Sequence, residues 1–172
     1  MISVRMASAA SRRLLKEYSA LQKENVISAS SALASSINEV SISPVSQKDL
    51  FYWTGVITGI PGGPYEGGSW KIDIRIPNTY PLHPPEIKFV TPICHPNIHF
   101  KTGEVCLDVL KSHWTAAWTL LSACIAVRAL LSDPEIDSPL NIDAANVLRC
   151  GDTTGYDSLV RYFTNKYARL DR

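Results

Sequence analysis

A run of alternating apolar and polar residues at positions 69–76, with the sequence SWKIDIRI, constrains the fold of this chain most strongly. Its apolar side chains share one face and its charged side chains share the other. They are Trp70, Ile72, Ile74 and Ile76 on the first face, and Lys71, Asp73 and Arg75 on the second. A period of two residues is typical of a β-strand. The sequence therefore predicts a strand here.

Three further segments have strand character and flank this run. They are INEVSIS at 37–43, FYWTGVIT at 51–58 and EIKFV at 86–90. Turn-forming clusters rich in Gly and Pro separate them, at 59–68 and 77–85. Four sequential strands with short connections predict an antiparallel meander.

Helical patterns lie on both sides of the strands. At 11–23, Leu14, Tyr18 and Leu21 share one helix face, and Arg12, Lys16 and Lys23 share the opposite face. After Trp114, helices are predicted at 119–132, 141–149 and 154–170, and the first of these places Cys124 on its apolar stripe. The Ser- and Ala-rich residues 25–36 are predicted as a flexible connection with at most a short helical turn.

This order of elements is an α+β pattern. The 172 residues, 45% of them hydrophobic, fit one domain with a real core. We expect an N-terminal extension at 1–7 and a single domain at 8–172.

Charge and hydropathy exclude several classes of function. The formal net charge is +1, which gives no electrostatic case for nucleic acid or a membrane surface as the main partner. No apolar run approaches the ~20 residues that a membrane span needs, so no direct membrane insertion is expected. Residues 1–16 lack a secretory signal. They also resemble a mitochondrial presequence, but the domain helix is the favoured interpretation, because the same residues make sense as the first helix of the domain.

The four cysteines, Cys94, Cys106, Cys124 and Cys150, contain no C-x-x-C pair. A structural zinc site is therefore not expected, and no metal site is predicted. Without a secretory signal, reduced thiols in a cytosolic compartment are the expected state.

Cys106 lies in a turn-rich segment after Thr102-Gly103. A cysteine in a short apolar run is more often buried and inert than reactive. A turn at Thr102-Gly103 would, however, bring the His-Pro-Asn triplet at 95–97 close to Cys106. The Asn97 amide could then donate to an oxyanion. His95 precedes a proline beside a turn, where histidine more often holds the backbone than moves protons.

Six segments together resemble the ubiquitin-conjugating enzymes in order and spacing, over roughly residues 8–170. They are PYEGG, YPLHPPEIKF, HPNI, GEVCLDVL, Trp114 and DSPL. The triplet about ten residues before Cys-Leu-Asp is the most specific of them. The predicted order of helices and strands is also that of this family.

The resemblance implies a role for Cys106. It would accept ubiquitin from the activating enzyme as a thioester and pass it to a substrate amine or a second thiol, usually with a ubiquitin ligase. Asn97 is then similar to the family's oxyanion donor, and His95 to its structural histidine. Asp108 would support the nucleophile.

The resemblance also places Asp137 and Ser138 at the acidic or serine position of a loop near the nucleophile. Many relatives carry Asp where this chain has Ser138, which weakens a general-base role there. No cofactor is implied, because ATP is used by the upstream activating enzyme.

Two docking surfaces follow from the same resemblance. The basic residues Arg12, Arg13 and Lys16 are similar to the surface that binds the activating enzyme. Leu82 and Ala117 lie where relatives contact RING-type ligases. Leu82 replaces a frequent Phe, and Thr-Ala-Ala at 115–117 replaces a frequent Ser-Pro-Ala, so the cognate ligase does not carry over.

The segment 137–163, and above all Arg-Cys-Gly-Asp at 149–152, resembles the peroxisomal branch of the family, which ubiquitinates import receptors. That branch implies recruitment by a membrane-anchored peroxin to the cytosolic face of the peroxisome, with a receptor lysine or cysteine as acceptor. The chain ends in Leu-Asp-Arg rather than Ser-Lys-Leu, so matrix import is not expected.

Four alternatives remain as hypotheses. They are a general cytosolic conjugating enzyme, a conjugating enzyme for a ubiquitin-like modifier, an inactive ubiquitin-binding variant and a cysteine hydrolase. The presence of Cys106 and Asn97 argues against the inactive variant. The lack of a histidine that can be placed as a base argues against the hydrolase.

Overall fold

The computed structural model describes residues 8–30, 39–106, 110 and 114–169. Its elements are α1 (Ala9–Ser30), β1 (Val40–Ser46), β2 (Asp49–Thr58), β3 (Ser69–Arg75), β4 (Glu86–Phe89), α2 (Leu120–Leu130), α3 (Ile142–Arg149) and α4 (Thr153–Tyr167). The predicted α+β order, with a helix before the strands and helices after them, is confirmed.

The four strands form one antiparallel sheet in the order β1-β2-β3-β4, which confirms the meander. Trp53 on β2 pairs with Ile74 on β3, and Ile74 pairs in turn with Ile87 on β4. These side chains are buried, so the register brings the apolar face of each strand into one layer. At the edge of the sheet, the register of β1 is irregular between Pro44 and Ser46.

Helices α1 and α2 pack against this sheet and complete the core. Leu14 of α1 is fully buried, as are Leu120 and Cys124 of α2. The prediction that Cys124 is a core residue is therefore confirmed. Its burial raises the pKa of the thiol to about 12, so this cysteine stays a neutral apolar group.

The structure corrects the predicted end of the first helix. The chain stays helical to Ser30, six residues into the segment predicted as a flexible connection, whose remaining residues 31–36 lie outside the described part. Serine and alanine without Gly or Pro provide no stop signal, so the helix continues. At its start, Ser8 caps the helix by accepting a hydrogen bond from the Ser11 amide at 3.0 Å.

The other boundaries differ by a few residues. β1 begins at Val40 and continues to Ser46, and β2 begins at Asp49. Gly151 follows α3 with a positive φ of 78°, a conformation that commonly ends a helix. The predicted extension 1–7 lies outside the described residues. Among the helices that the structure describes, none has the length and hydropathy needed to cross a bilayer.

Candidate active site

The predicted turn at Thr102-Gly103 is present and places Cys106 beside the His-Pro-Asn triplet. The Gly103 amide donates to His99 O at 2.8 Å, and the returning chain bonds through Cys106 N to Asn97 O at 2.9 Å. Gly103 has φ of 72°, and a Cβ there would lie 1.8 Å from Phe89 O. Only glycine fits this close approach to β4, so the turn that positions Cys106 depends on it.

Cys106 is 6% exposed, so the thiol lies just below the surface at the edge of the core. The next three residues, including Asp108, lie outside the described part of the chain.

His95 is fully buried, and both ring nitrogens have partners. Nε2 lies 2.9 Å from Leu130 O, and Nδ1 accepts a hydrogen bond from the backbone N–H of Asn97 at 3.0 Å. This pattern requires the neutral ring with its proton on Nε2. Burial lowers the pKa of His95 to about 4, against a weaker opposing effect of the Leu130 carbonyl. The ring holds backbone and has no nitrogen available to accept a proton from Cys106.

Asn97 joins the segment that contains Cys106 to the loop at residues 133–141, here called the active-site loop. Its Oδ1 accepts the Glu135 amide at 2.8 Å. Its Nδ2 donates to Glu135 O at 2.6 Å and to Ser138 O at 3.2 Å. Both amide hydrogens are thus committed to carbonyls, so Asn97 in this geometry is first an anchor of the loop. Donation to an oxyanion would require it to leave one of these carbonyls.

Further bonds hold the active-site loop on either side of Asp137 and Ser138. The Leu140 and Asn141 amides both donate to Pro96 O, at 2.8 and 2.9 Å. The Arg149 guanidinium donates to Ile136 O at 2.5 Å. Asp137 is exposed and Ser138 is half-buried. The predicted site residues His95, Asn97, Cys106 and Ser138 are therefore linked through direct hydrogen bonds, with Asp137 on the same loop.

The predicted basic surface of α1 divides in two. Arg12 and Lys16 are exposed. Arg13 is turned toward the body of the protein, where it donates to Glu17 Oε1 at 2.6 Å and to Trp118 O at 2.8 Å. The hydrogen bond to Glu17 is the main cause that raises the pKa of Arg13.

The structure brings together the two segments expected to contact ligases. Leu82 is 76% exposed, and Ala117 is also exposed. Between their segments, Trp114 Nε1 donates to Pro81 O at 2.9 Å. The Trp114 ring also lies 5.9 Å from that of Tyr80 and 6.0 Å from that of Trp118. The aromatic side chains hold the two segments in a fixed relation.

Glu17 was not predicted from the sequence, although it organises this region. It is 7% exposed and accepts three hydrogen bonds: from Arg13, from Tyr80 OH at 2.7 Å and from the Leu120 amide at 2.8 Å. The Arg13–Glu17 spacing of four residues was the visible signal. The partners at Tyr80 and Leu120 are too far away in sequence to be read from it.

No metal centre is indicated in the described ranges, where no group of three or more His, Cys, Asp and Glu side chains could hold an ion. Of the four cysteines, Cys94 and Cys124 are buried, with thiol pKa values that burial raises to about 11 and about 12. Cys150 is exposed on the far end of α3. Cys106 is the cysteine whose backbone amide donates to the triplet, at Asn97 O.

Comparison with known proteins agrees with this geometry. The family model described as "Ubiquitin-conjugating enzyme" matches residues 13–164. A Dictyostelium discoideum protein named "Ubiquitin-conjugating enzyme E2 pex4" is 50% identical over 155 residues, covering 90% of this chain and 97% of that protein. The Arabidopsis thaliana "Protein PEROXIN-4" is 45% identical over 152 residues, covering 88% and 90%. The crystal structure of H. polymorpha Pex4p in complex with the soluble domain of Pex22p superposes with a TM-score of 0.81 at 39% identity, over 95% of this chain and 100% of that one.

Proposed function

This chain belongs to the ubiquitin-conjugating enzymes, and on that premise we propose that Cys106 carries ubiquitin as a thioester between the activating enzyme and an acceptor. In the first step the Cys106 sulfur attacks the thioester carbonyl of ubiquitin on the activating enzyme, and that enzyme's cysteine leaves as the thiol. In the second step an amine or thiol of the acceptor attacks the same carbonyl. The Cys106 sulfur then leaves and takes up the proton.

The observation that carries this proposal is the backbone bond between Cys106 N and Asn97 O, because it places Cys106 beside the triplet, whose Asn97 side chain in turn holds the active-site loop. Cys94, Cys106 and Cys124 are all buried, and Cys106 is the one whose backbone amide bonds into the rigid frame formed by the triplet and the active-site loop. A rigid frame favours a reaction that is controlled by orientation.

The chemistry proceeds without a histidine base, since His95 has no free nitrogen. Exchange of one thioester for another is nearly balanced, and cysteine is intrinsically nucleophilic. An acceptor lysine must lose its proton before it attacks. We propose that the exposed Asp137 carboxylate and the Ser138 hydroxyl face the incoming amine and assist that loss, with Asp108 in support. No cofactor takes part, and ATP is consumed upstream by the activating enzyme.

We propose that the protein serves peroxisome biogenesis. The supporting findings are the pex4 and PEROXIN-4 names of its relatives and the presence of Pex22p as the partner in the H. polymorpha structure. A membrane-anchored peroxin would recruit the enzyme to the cytosolic face of the peroxisome. Its substrates there would be import receptors, modified on lysine or cysteine for recycling.

The proposed docking surfaces follow the exposed residues. The activating enzyme would contact α1 through Arg12 and Lys16, whereas Arg13 contributes from beneath through Glu17. A RING-type ligase would contact Leu82 and Ala117, which the Trp114 hydrogen bond keeps adjacent.

A charging assay tests the thioester. The protein is mixed with ubiquitin, activating enzyme and ATP, and separated on a gel with and without thiol. We expect an added band of about one ubiquitin mass that thiol removes. Cys106→Ala should abolish the band, and Cys150→Ala, a substitution of the exposed cysteine, should retain it. Unchanged charging of Cys106→Ala, or no band from folded wild-type protein, would contradict the proposal.

Cell fractionation tests the peroxisomal assignment. We expect a share of the protein to sediment with peroxisomes and to be released from their membranes by alkaline carbonate, as a peripheral protein is. A wholly soluble pool would favour a general cytosolic conjugating enzyme.

A further inference from the structure

We propose that Arg149 is a positioning residue for the active-site loop, which holds the backbone beside Asp137 and so sets the reactivity of the thioester toward amines. The inference rests on the proposed thioester at Cys106. It concerns a side chain outside the predicted site, in the Arg-Cys-Gly-Asp segment at 149–152.

The first observation is the contact itself. Arg149 Nη2 donates to Ile136 O at 2.5 Å, and Nη1 lies 3.3 Å from Asn146 Oδ1. Asn146 is one turn before Arg149 on α3, so it orients the guanidinium toward the loop. A guanidinium presents several donors in a fixed plane, which suits it to hold one carbonyl and one side-chain oxygen together.

The second observation is that Arg149 and Asn97 hold the same short stretch from opposite sides. Asn97 is buried and donates to Glu135 O and Ser138 O from within. Arg149 is exposed and donates to Ile136 O from the surface. The carbonyls before and after Asp137 are therefore engaged, which limits rotation of the peptide units that aim its carboxylate.

The third observation is that the Arg149 backbone is itself rigidly placed. The Cys150 amide donates to Asn146 O at 3.0 Å, and the Gly151 amide donates to Leu148 O at 2.9 Å. Gly151 ends α3 with a positive φ of 78°, and Asp152 begins α4 by accepting the Gly155 amide at 2.8 Å. This tight junction fixes the point from which the Arg149 side chain reaches the loop.

The loop is tied to this junction at two places. Asn141 closes it by capping the first turn of α3, where Oδ1 accepts the Ala144 amide at 3.2 Å. Arg149 at the last turn of α3 returns to Ile136. The loop, the helix and the side chain thus form a closed ring, and loss of the Arg149 contact opens it next to Asp137.

The expected effect depends on the acceptor. An amine must lose a proton during attack, so its rate depends on where the loop places Asp137 and Ser138. A thiol that attacks as the thiolate needs no such help. Loss of Arg149 should therefore lower discharge to an amine relative to discharge to a thiol.

The test uses thioester formed beforehand and followed in single-turnover discharge, once with free lysine and once with free cysteine blocked at its amine. For Arg149→Ala we expect the ratio of lysine rate to thiol rate to fall about fivefold, which is about 1 kcal/mol in the barrier and matches the typical net contribution of one hydrogen bond. Arg149→Lys, which keeps the charge but has one donor nitrogen in place of the planar guanidinium, should recover part of the ratio. Asn146→Ala should lower it by a smaller factor.

The matched control is Arg161→Ala, which removes an exposed arginine of α4 whose nearest acidic partner, Asp157, lies 3.9 Å away. Its ratio should equal that of the wild type. Misfolding would lower both rates alike and leave the ratio unchanged. Circular dichroism of each variant therefore checks that any equal fall in the two rates comes from folded protein. Equal rates for Arg149→Ala and wild type, or an equal fall with both acceptors, would overturn the inference while leaving the thioester intact. Failure of the wild type to charge at all would instead contradict the proposed function.

Discussion

Asn97 and Glu17 are two buried polar side chains that hold neighbouring segments in place, one beside Cys106 and the other where α1 meets α2. They do so with different chemistry. Near the nucleophile, the neutral amide of Asn97 makes three hydrogen bonds to a single loop. At the junction of α1 and α2, the carboxylate of Glu17 accepts from three separate segments, through Arg13, Tyr80 and Leu120.

The difference follows from what each group can bond. An amide both donates and accepts, so Asn97 satisfies the N–H and the C=O groups of a loop at once. A carboxylate only accepts, but it gains from positive partners. Glu17 faces the Arg13 guanidinium and the first amide of α2, where the helix dipole favours negative charge. These partners offset the cost of burying its charge.

The comparison also fits the thioester transfer proposed for Cys106. In that transfer, negative charge would develop on the sulfur and on the carbonyl oxygen, and a carboxylate at position 97 would repel it. At the α1–α2 junction, no such charge develops, so a carboxylate is tolerated.

Asn97→Asp places a carboxylate where the structure has a neutral amide, and it is expected to have the largest effect on stability. The substitution removes both donors to Glu135 O and Ser138 O and buries a charge without a positive partner. We expect a loss of about 4 kcal/mol in the free energy of unfolding, the cost of an uncompensated buried charge. Urea unfolding measures it. The control is Asn146→Asp on the exposed face of α3, which should change stability by less than about 0.5 kcal/mol; wild-type stability of Asn97→Asp would contradict the anchoring role.

Acid should lower the free energy of unfolding through His95, whose ring accepts a hydrogen bond from the backbone N–H of Asn97. Because the pKa of His95 is lowered to about 4 in the folded state, the unfolded chain binds a proton first as the pH falls below 6.5. Stability is therefore full above pH 6.5, falls between pH 6.5 and 4, and loses about 3 kcal/mol in total from this group.

Urea unfolding at pH 7, 6 and 5 checks that slope, in the range above most carboxylate titrations. His95→Gln should flatten it, whereas His83→Gln, at an exposed histidine, should leave it as in the wild type. A wild-type slope in His95→Gln would show that another group is responsible.

Glu17→Gln tests the charged end of the comparison. The glutamine side chain has the same shape, but one carboxylate oxygen becomes an NH₂ donor that faces the N–H and O–H donors around it. The substitution also leaves Arg13 without its negatively charged partner. We expect a loss of about 2 kcal/mol in the free energy of unfolding. Because Arg13 also binds Trp118 O, the fluorescence of Trp118 and Trp114 should change as well.

The matched control for that variant is Glu66→Gln, in which an exposed carboxylate accepts a single backbone amide. It should alter neither stability nor fluorescence appreciably. If Glu17→Gln behaved in the same way, the carboxylate would not be what joins these segments.

Tyr80→Phe sharpens the comparison with the smallest change. It removes one donor to Glu17 and retains the ring that contacts Trp114. We expect the free energy of unfolding to fall by about 1 kcal/mol, the typical net contribution of one hydrogen bond. The control is Tyr52→Phe, which removes a similar hydrogen bond to Asp73 on the sheet, away from Glu17 and Trp114. It should lose a similar amount of stability without altering the fluorescence of Trp114.

The two anchors also mark how far structure could be predicted from sequence. Periodicity predicted β3 and the meander because neighbouring residues alternate between two environments. The turn at Thr102-Gly103 predicted that Asn97 and Cys106 would meet, since their separation along the chain is short. The resemblance supplied roles for the triplet.

What the sequence could not show are contacts between distant segments. Arg13 was predicted on an exposed basic face, and its inward turn follows from Trp118, which is 105 positions away. The partners of Glu17 at Tyr80 and Leu120, and the reach of Arg149 to Ile136, likewise depend on how the packed elements meet. The predicted end of α1 was wrong for a different reason, because a Ser- and Ala-containing segment without Gly or Pro does not stop a helix that has already begun.

The irregular edge of the sheet has a consequence for how this protein behaves in concentrated solution. Within the described residues, β1 pairs with a strand on one side only, and an unpaired strand edge invites association with another copy. Pro44 has no backbone N–H to offer such a copy, and the break in register before Ser46 disturbs the regular spacing of the remaining groups. The same two features that interrupt the ladder therefore protect the chain against edge-to-edge aggregation.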